Sequence, residues 1–198
     1  MNVRLQARHH FRALVHWQNN AFINQYDVTL DITTGCDDHD SQNVAMDRIN
    51  HMLFHCFSDS IMINSDLTSE IRLYQAAGLK ITTLPTDPFD QIIGLMLYSK
   101  LNAVCEGRMT VDSVSICSDH GDHIWYLHDH TEAIGPFAKA GWWNEPSCRH
   151  WHSTSSPDTV VDLKSKSDWA RVDLAWPAEN QHSQDGKVVF AKFDRDDD

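Results

Sequence analysis

TDPFDQIIGLMLYSKLNAVCEGRMTVDSVSICSDHGDHIWYLHDHTE, residues 86–132, reads as a long helix followed by two strands. Asp87 stands where an N-cap belongs. Pro88 fits the first helical position, where its missing N–H costs nothing, and Asp90 complements the helix dipole from the first turn. Phe89, Ile92, Ile93, Met96, Leu97, Leu101 and Val104 share one broad face, wide enough to be buried on a sheet, and Gly107 stops the helix after Glu106. Burying six or seven such side chains contributes on the order of 10 kcal/mol before chain entropy is subtracted. Met109 to Cys117 and His123 to His128 then read as strands joined by the turn Ser118-Asp119-His120-Gly121-Asp122. The apolar parity changes between Val111 and Val114, the mark of a β-bulge or of a strand covered on both faces. Ile124, Trp125, Tyr126 and Leu127 make both faces of the last strand apolar, which predicts a central strand.

Upstream, Phe11 to Gln18 and Phe22 to Thr34 alternate with the period of a strand, and Gln18-Asn19-Asn20 supplies the turn of a hairpin. In the second strand Phe22, Tyr26, Val28, Leu30 and Ile32 oppose Gln25, Asp27, Thr29, Asp31 and Thr33, so one face is wet, as antiparallel sheets allow. Asp40 or Ser41 is placed to cap a helix from Gln42 to Phe57, whose apolar stripe is Ala45, Ile49, Met52, Leu53 and Cys56. Ser60 to Asn64 is extended, Thr68 to Ala77 is a short helix ended by Gly78, and Leu79 to Leu84 is extended again. Beyond Gly135-Pro136 the pattern weakens into aromatic-rich loops, with Val160 to Leu163, Arg171 to Ala175 and Lys187 to Phe193 as short strands and an acidic, disordered tail from Asp194 to Asp198. The expected architecture is α+β, an antiparallel four-stranded sheet with helices packed on one face. The expected division is a core over 1–135 and a loop-rich extension over 136–198.

A chain of 198 residues with 41% hydrophobic and 22% charged residues suits a folded domain. A formal charge of −12 works against a phosphate backbone, so nucleic acid is not an expected partner. No run approaches 18 apolar residues, and Met1 to His10 lacks the apolar segment of a signal peptide, so a soluble, cytoplasmic protein without a membrane partner is expected. Five cysteines at irregular spacing, with no Cys-x-x-Cys pair, point to reduced thiols and not to a disulfide framework.

No stretch matches a high-specificity catalytic motif. The densest group of potential ligands is Asp119, His120, Asp122, His123, His128, Asp129 and His130. His120, His123, His128 and His130 are the candidate metal ligands, because neutral imidazoles beside carboxylates suit zinc; turns also collect Asp, His and Gly simply because those residues tolerate turn geometry. His51 and His55 lie one helical turn apart, and His150-Trp151-His152 places two rings on one side of an extended segment. Asp37, Asp38, His39 and Asp40 could serve acid–base chemistry, although acidic residues before a helix are favourable without any catalysis. Trp142-Trp143 reads as a packing plug over the sheet or as a subunit contact.

The order strand, strand, helix, short helix, long helix, strand, strand over roughly residues 9–132 resembles the tunnelling fold of 6-pyruvoyl-tetrahydropterin synthase and its 6-carboxytetrahydropterin relatives. The segments that carry the resemblance are Gln25 to Ile32, Gln42 to Phe57, Thr86 to Glu106 and Met109 to His128. It implies an oligomer that joins sheets into a barrel and binds or transforms a small heterocycle of pterin or purine type. It also implies zinc held by a His on the first strand, with His10 or His16 in that place, and a His-x-His pair on the second, although Gln25 to Ile32 has no histidine. The family's cysteine between those strands has no counterpart between Trp17 and Tyr26. Glu132 is the positional match for the acid that grips the heterocycle's guanidine-like edge. The competing expectation is a non-enzymatic assembly or interaction protein, of viral type and housed in a virion, that keeps the fold for its oligomer surface and docks a protein partner through its C-terminal third.

Overall fold

The two alternating segments near the N-terminus fold as one long hairpin, β1 (Arg4–Trp17) and β2 (Asn20–Thr34). Trp17 pairs with Asn20, so the turn holds only Gln18 and Asn19, at φ of 46° and 62°. That left-handed pair gives the twist a two-residue hairpin favours. The structure, a computed structural model, describes residues 3–131, 141–148 and 168–177.

Four further strands complete a six-stranded sheet: β3 (Ile61–Asn64), β4 (Ile81–Leu84), β5 (Met109–Ser118) and β6 (Tyr126–Asp129), in the order β4-β3-β1-β2-β5-β6. β1, β2, β5 and β6 are antiparallel, whereas β3 runs parallel to β1 and β4 parallel to β3. The expectation of four antiparallel strands is therefore corrected to a mixed sheet of six. β3 and β4 are apolar runs of four residues, too short to show a period, and α2 (Thr68–Ala76) returns the chain between them so that they run parallel.

Helices also lie on both faces. Phe11, Ala13, Val15, Tyr26, Val28, Leu30, Ile32, Val111, Val114 and Ile116 point to one side, where they are buried under α1 (His39–Asn50) and α3 (Asp90–Cys105). α2 covers the opposite side at one end only, placing Ile71 and Tyr74 over Leu14, Ile61, Ile63 and Ile81. The rest of that side is the wet face foreseen from the alternation. There the His10 ring meets Asp27, Gln6 Nε2 donates to Asp31 at 3.0 Å, and Ser113 Oγ donates to Asp31 at 2.8 Å.

Asp38 caps α1, accepting from the Ser41 amide at 3.1 Å, two or three residues before the expected cap. The helix widens at His51 into a π-helical segment to Phe57, which still buries Met52, Leu53, Cys56 and Phe57. α3 begins at Asp90, later than expected, because Asp87 accepts from Asn64 Nδ2 at 3.1 Å instead of capping, and Phe89 takes the cap position without a side-chain bond. It ends through Glu106 and Gly107 at φ of 47° and 77°. β5 carries the bulge: Asp31 faces Ser113 while Ile32 faces Val111, leaving Asp112 as the extra residue. β6 is four residues long and lies at the sheet edge, so the central strand expected over His123 to His128 is corrected. The turn consumes His123, which sits with Asp122 in the left-handed region at φ of 57° and 53°.

Two later segments are stitched to the core by buried cations. Trp142 is buried and donates its indole N–H to the Thr83 carbonyl at 3.2 Å. Lys100 Nζ donates to the carbonyls of Trp142, Glu145 and Ser147 at 2.9, 2.7 and 2.9 Å. Arg48, fully buried, lies 4.6 Å from the Trp169 ring and 3.7 Å from the Trp176 ring, and donates to Leu174 O, Val104 O and Glu106 Oε1. The strand expected over Arg171 to Ala175 is a 3₁₀ turn, Asp168–Val172, followed by irregular chain. Val160 to Leu163, Lys187 to Phe193 and the acidic tail fall outside the described residues.

Candidate functional site

A cleft of about 240 Å³ opens where three chain reversals meet: the β1–β2 hairpin turn, the start of α3 and the β5–β6 turn. The hairpin contributes Trp17 and Phe22, both at its turn end. The start of α3 contributes Phe89, whose ring stands edge-on to Trp17 at 6.0 Å, and the β5–β6 turn lays His120 edge-on against Phe22 at 4.8 Å. Tyr126, first residue of β6, adds to the wall. Trp17 and Phe89 are 37% and 46% exposed, a cost that a flat ligand between them would remove.

The polar groups gather around Asp90. It is half-buried at the head of α3, and Ser118 Oγ donates to its Oδ2 at 2.7 Å; the other oxygen takes no hydrogen bond from the described residues. Burial holds the Asp90 carboxyl above the usual range, and the Ser118 bond offsets part of that rise. Gly121 leaves the space: a Cβ there would stand 2.3 Å from Asp90 Oδ2 and 2.9 Å from Ser118 Oγ. Asn24 Oδ1 accepts from the His120 amide at 3.2 Å and so fixes the turn above the cleft. Tyr26, which does not itself line the cleft, is 1% exposed and stacked on Phe11 at 5.0 Å. Its hydroxyl lies beside the Asn24 side chain. Burial first, and then the Asp90 charge, push its pKa up, and the nearby Asn24 side chain offsets part of the shift. Among the described lining residues there is no Lys or Arg, and Asp90 is the one carboxylate.

The residues singled out from sequence are spread over the molecule. His120 lines the cleft, while His123 is exposed on the turn. His128 is 4% exposed on β6, packed so closely under α3 that a Cβ on Gly94 would lie 2.4 Å from its ring. His130 is exposed beyond β6, and Asp129 accepts from the Thr131 amide at 2.8 Å, closing a local turn. His51 and His55 face each other at 5.1 Å, with His51 edge-on to Trp169; burial and then the neighbouring His55 lower the His51 pKa. Asp38 proves to be a cap. Glu132 and His150-Trp151-His152 lie outside the described residues.

Zinc does not fit the described residues as the resemblance implies. Facing the cleft, β1 presents Val15 and Trp17 and β2 presents Phe22 and Asn24, none of them an ordinary zinc ligand. His16 turns away to Tyr74, Nδ1 to Oη 2.8 Å, and His10 lies on the wet face with Asp27. Among the described residues no group of three or more His, Cys, Asp or Glu could hold a metal ion. Asp90 and Phe89 were missed in the sequence because each had a sufficient structural reading: dipole partner and helix face. The one available signal was Phe89 beside Pro88, before the helix face begins.

No family model matches the chain, and no curated protein matches it. Among solved structures it is similar to an uncharacterized protein from Wolinella succinogenes, at 10% identity and a TM-score of 0.47 over 66% of this chain and 99% of that one. It is also similar to the 6-pyruvoyltetrahydropterin synthase of Plasmodium vivax, a catalytic-residue mutant, at 8% identity and a TM-score of 0.40 over 65% of this chain and 97% of that one. The Plasmodium falciparum synthase aligns at 8% identity and a TM-score of 0.38 over 64% of this chain and 96% of that one. Identities this low carry no chemistry from one chain to another.

Proposed function

We propose that the protein binds, or binds and transforms, a small flat heterocycle of pterin or purine type in the cleft between Trp17, Phe22 and Phe89. One observation carries the reading: a half-buried carboxylate, Asp90, has an oxygen without a hydrogen bond from the described residues and is ringed by aromatic side chains. Aromatic walls supply stacking for any flat ring, and a single acceptor fixes the orientation of its N–H groups. The volume, about 240 Å³, lies below the usual range for drug-sized ligands and suits a small ring. Titration with pterin and with guanine, followed by quenching of tryptophan emission, tests this. Asp90→Asn should weaken binding about tenfold, roughly 1.4 kcal/mol. Saturable binding that Asp90→Asn leaves unchanged, or no binding at millimolar ligand, would refute the reading.

The same proposal includes a homo-oligomer. β3 meets β1 only at Leu14 and Val15, so among the described residues Arg4 to Phe11 have no strand beside them on the side away from β2; β6 ends the sheet at the other edge. Trp125 and Leu127, 52% and 56% exposed, lie at that second edge. Open edges with exposed apolar side chains invite strand pairing between copies. They equally serve the competing reading of an assembly protein with no small ligand, and a stable oligomer with an empty cleft would favour it. Metal analysis of protein purified without a His tag bears on zinc: a stoichiometric ion would turn the reading towards a metal-dependent enzyme.

A further inference from the structure

The polar side of the sheet, away from α1 and α3, holds a groove of about 410 Å³. Opposite positions on β1, β2 and β5 form rows across its floor. In one outer row His10 meets Asp27, and in the other Asp31 takes both Gln6 Nε2 and Ser113 Oγ. The middle row is Arg8, Thr29 and Ser115, and none of these side chains has a hydrogen bond or ion pair with a described residue. Acids outnumber bases 28 to 16 in this chain, yet Arg8 stays unpaired, because the acids on either side of it are engaged by other partners. Trp125 lines the same groove with its ring 52% exposed, and its indole N–H is likewise without a partner among the described residues.

These groups define what fits. β1 and β6 lie three strand spacings apart, about 14 Å. Arg8, on β1, and Trp125, just before β6, stand at opposite margins, which leaves room for one six-membered ring above Thr29 and Ser115. The guanidinium offers a fork for a carboxylate. Floor hydroxyls that both give and accept match a ring with hydroxyls of its own, and the exposed indole gains by covering the C–H side of such a ring. We propose that this groove is a second ligand site and takes a sugar acid, a pyranose whose carboxylate lies on Arg8, whose C–H side rests on Trp125 and whose hydroxyls meet Thr29 and Ser115. The site is separate from the cleft and does not depend on the heterocycle reading. Pairing of copies at β6 would use backbone groups in the plane of the sheet, so it leaves a ring on the face available.

Glucuronate, methyl glucoside and glucosamine present one ring as an anion, a neutral molecule and a cation. Binding to the full-length protein is read by saturation-transfer NMR and by calorimetry. Glucuronate should bind about fivefold more tightly than methyl glucoside, the worth of one exposed charge pair, and glucosamine more weakly than either. Arg8→Gln should abolish that preference, so that glucuronate and methyl glucoside bind alike, while Trp125→Ala should weaken both by a similar factor. Both side chains are exposed, so neither variant should lower the melting temperature, which separates loss of binding from loss of fold. Asp90→Asn, which alters the cleft, should leave glucuronate binding unchanged. Equal affinity for the three sugars, no saturable binding of glucuronate, or a preference that survives Arg8→Gln overturns the proposal. So does acetate that competes as well as glucuronate, the mark of a bare anion site.

Discussion

Replacing Arg48 tests the packing that joins α1, α3 and the segment 168–177. Its guanidinium is fully buried between the Trp169 and Trp176 rings, at 4.6 and 3.7 Å. It donates at 2.9 Å to Leu174 O, at 3.2 Å to Val104 O and at 2.8 Å to Glu106 Oε1. The carboxylate is held a second time, by the Trp176 indole N–H at 3.2 Å. Removing one partner of a buried ion pair costs about 3–5 kcal/mol, because the remaining polar groups lose a donor in a place water reaches poorly. Glu106 is 32% exposed and can recover some hydration, so the lower half of that range applies to Arg48→Ala, about 3–4 kcal/mol. Arg48→Lys keeps the charge but loses the flat face that stacks on two indoles and the fork that reaches several acceptors, about 2 kcal/mol. At a urea m-value near 2 kcal/mol/M these correspond to midpoint shifts of roughly 1.5–2 M and 1 M. Tryptophan emission is the natural probe, since two indoles flank the residue and should shift to the red in either variant. A midpoint within about 0.3 M of the parent for Arg48→Lys would refute the claim that planarity, and not charge alone, holds this joint.

Other substitutions and conditions probe the remaining joints. Gly94→Ala places a Cβ 2.4 Å from the His128 ring, and pushing β6 away from α3 should cost about 2–3 kcal/mol in chemical denaturation; an unchanged midpoint would show that the ring moves aside freely. Gly121→Ala crowds the Asp90 carboxylate at 2.3 Å and should weaken pterin binding more than it lowers the melting temperature. Burial lowers the Lys100 pKa to about 8, so native protein releases this proton before unfolded chain does, and stability should rise as pH climbs from about 8 to 9. Above pH 9 the sign reverses: burial raises Cys56 and Cys105 to about 12, the unfolded chain loses those protons first, and stability should fall between about 9 and 12. A stability profile without a maximum near pH 9 would contradict that pair of opposing effects. Leu127→Lys should lower the mass seen by light scattering if β6 joins copies, and an unchanged mass would remove that edge from the interface.

The sequence made the large elements readable because each carries a long, unbroken period. β2 alternates over its whole length, α3 keeps one apolar face from Ile92 to Val104, and the parity change between Val111 and Val114 allowed a bulge or a doubly covered strand, of which the structure shows the bulge. The errors fall where a period had no room to develop. β3 and β4 hold four residues each, and their parallel pairing depends on partners distant in the chain. Over His123 to His128, apolar residues on both faces suggested burial, yet Ile124, Trp125 and Leu127, in and just before β6, are about half exposed. Hydrophobicity alone does not distinguish a strand between neighbours from one that still lacks them. The cleft was hidden for a different reason. Its walls come from three reversals separated by some 30 to 100 positions, and no local pattern brings Trp17, Phe89 and His120 together.

The buried cations show how irregular chain can be held against a regular core. Segments 141–148 and 168–177 have no strand ladder, so their carbonyls need donors from elsewhere. Lys100 answers three of them from the middle of α3, and Arg48 answers Leu174 from α1 while its flat face lies between two indoles. An ammonium with rotatable donors suits three carbonyls converging on one point, and a planar guanidinium suits a slot between rings, so the two cations are not interchangeable. Three of the seven tryptophans serve this joint, since Trp142, Trp169 and Trp176 belong to the same buried cluster as the sheet's inward face. This division also separates stability from recognition within one chain. Trp17 and Phe89 are left open at the far end of the hairpin, where no Lys or Arg lines the cleft among the described residues, and that is the end at which Asp90 has an oxygen without a hydrogen bond from the described residues.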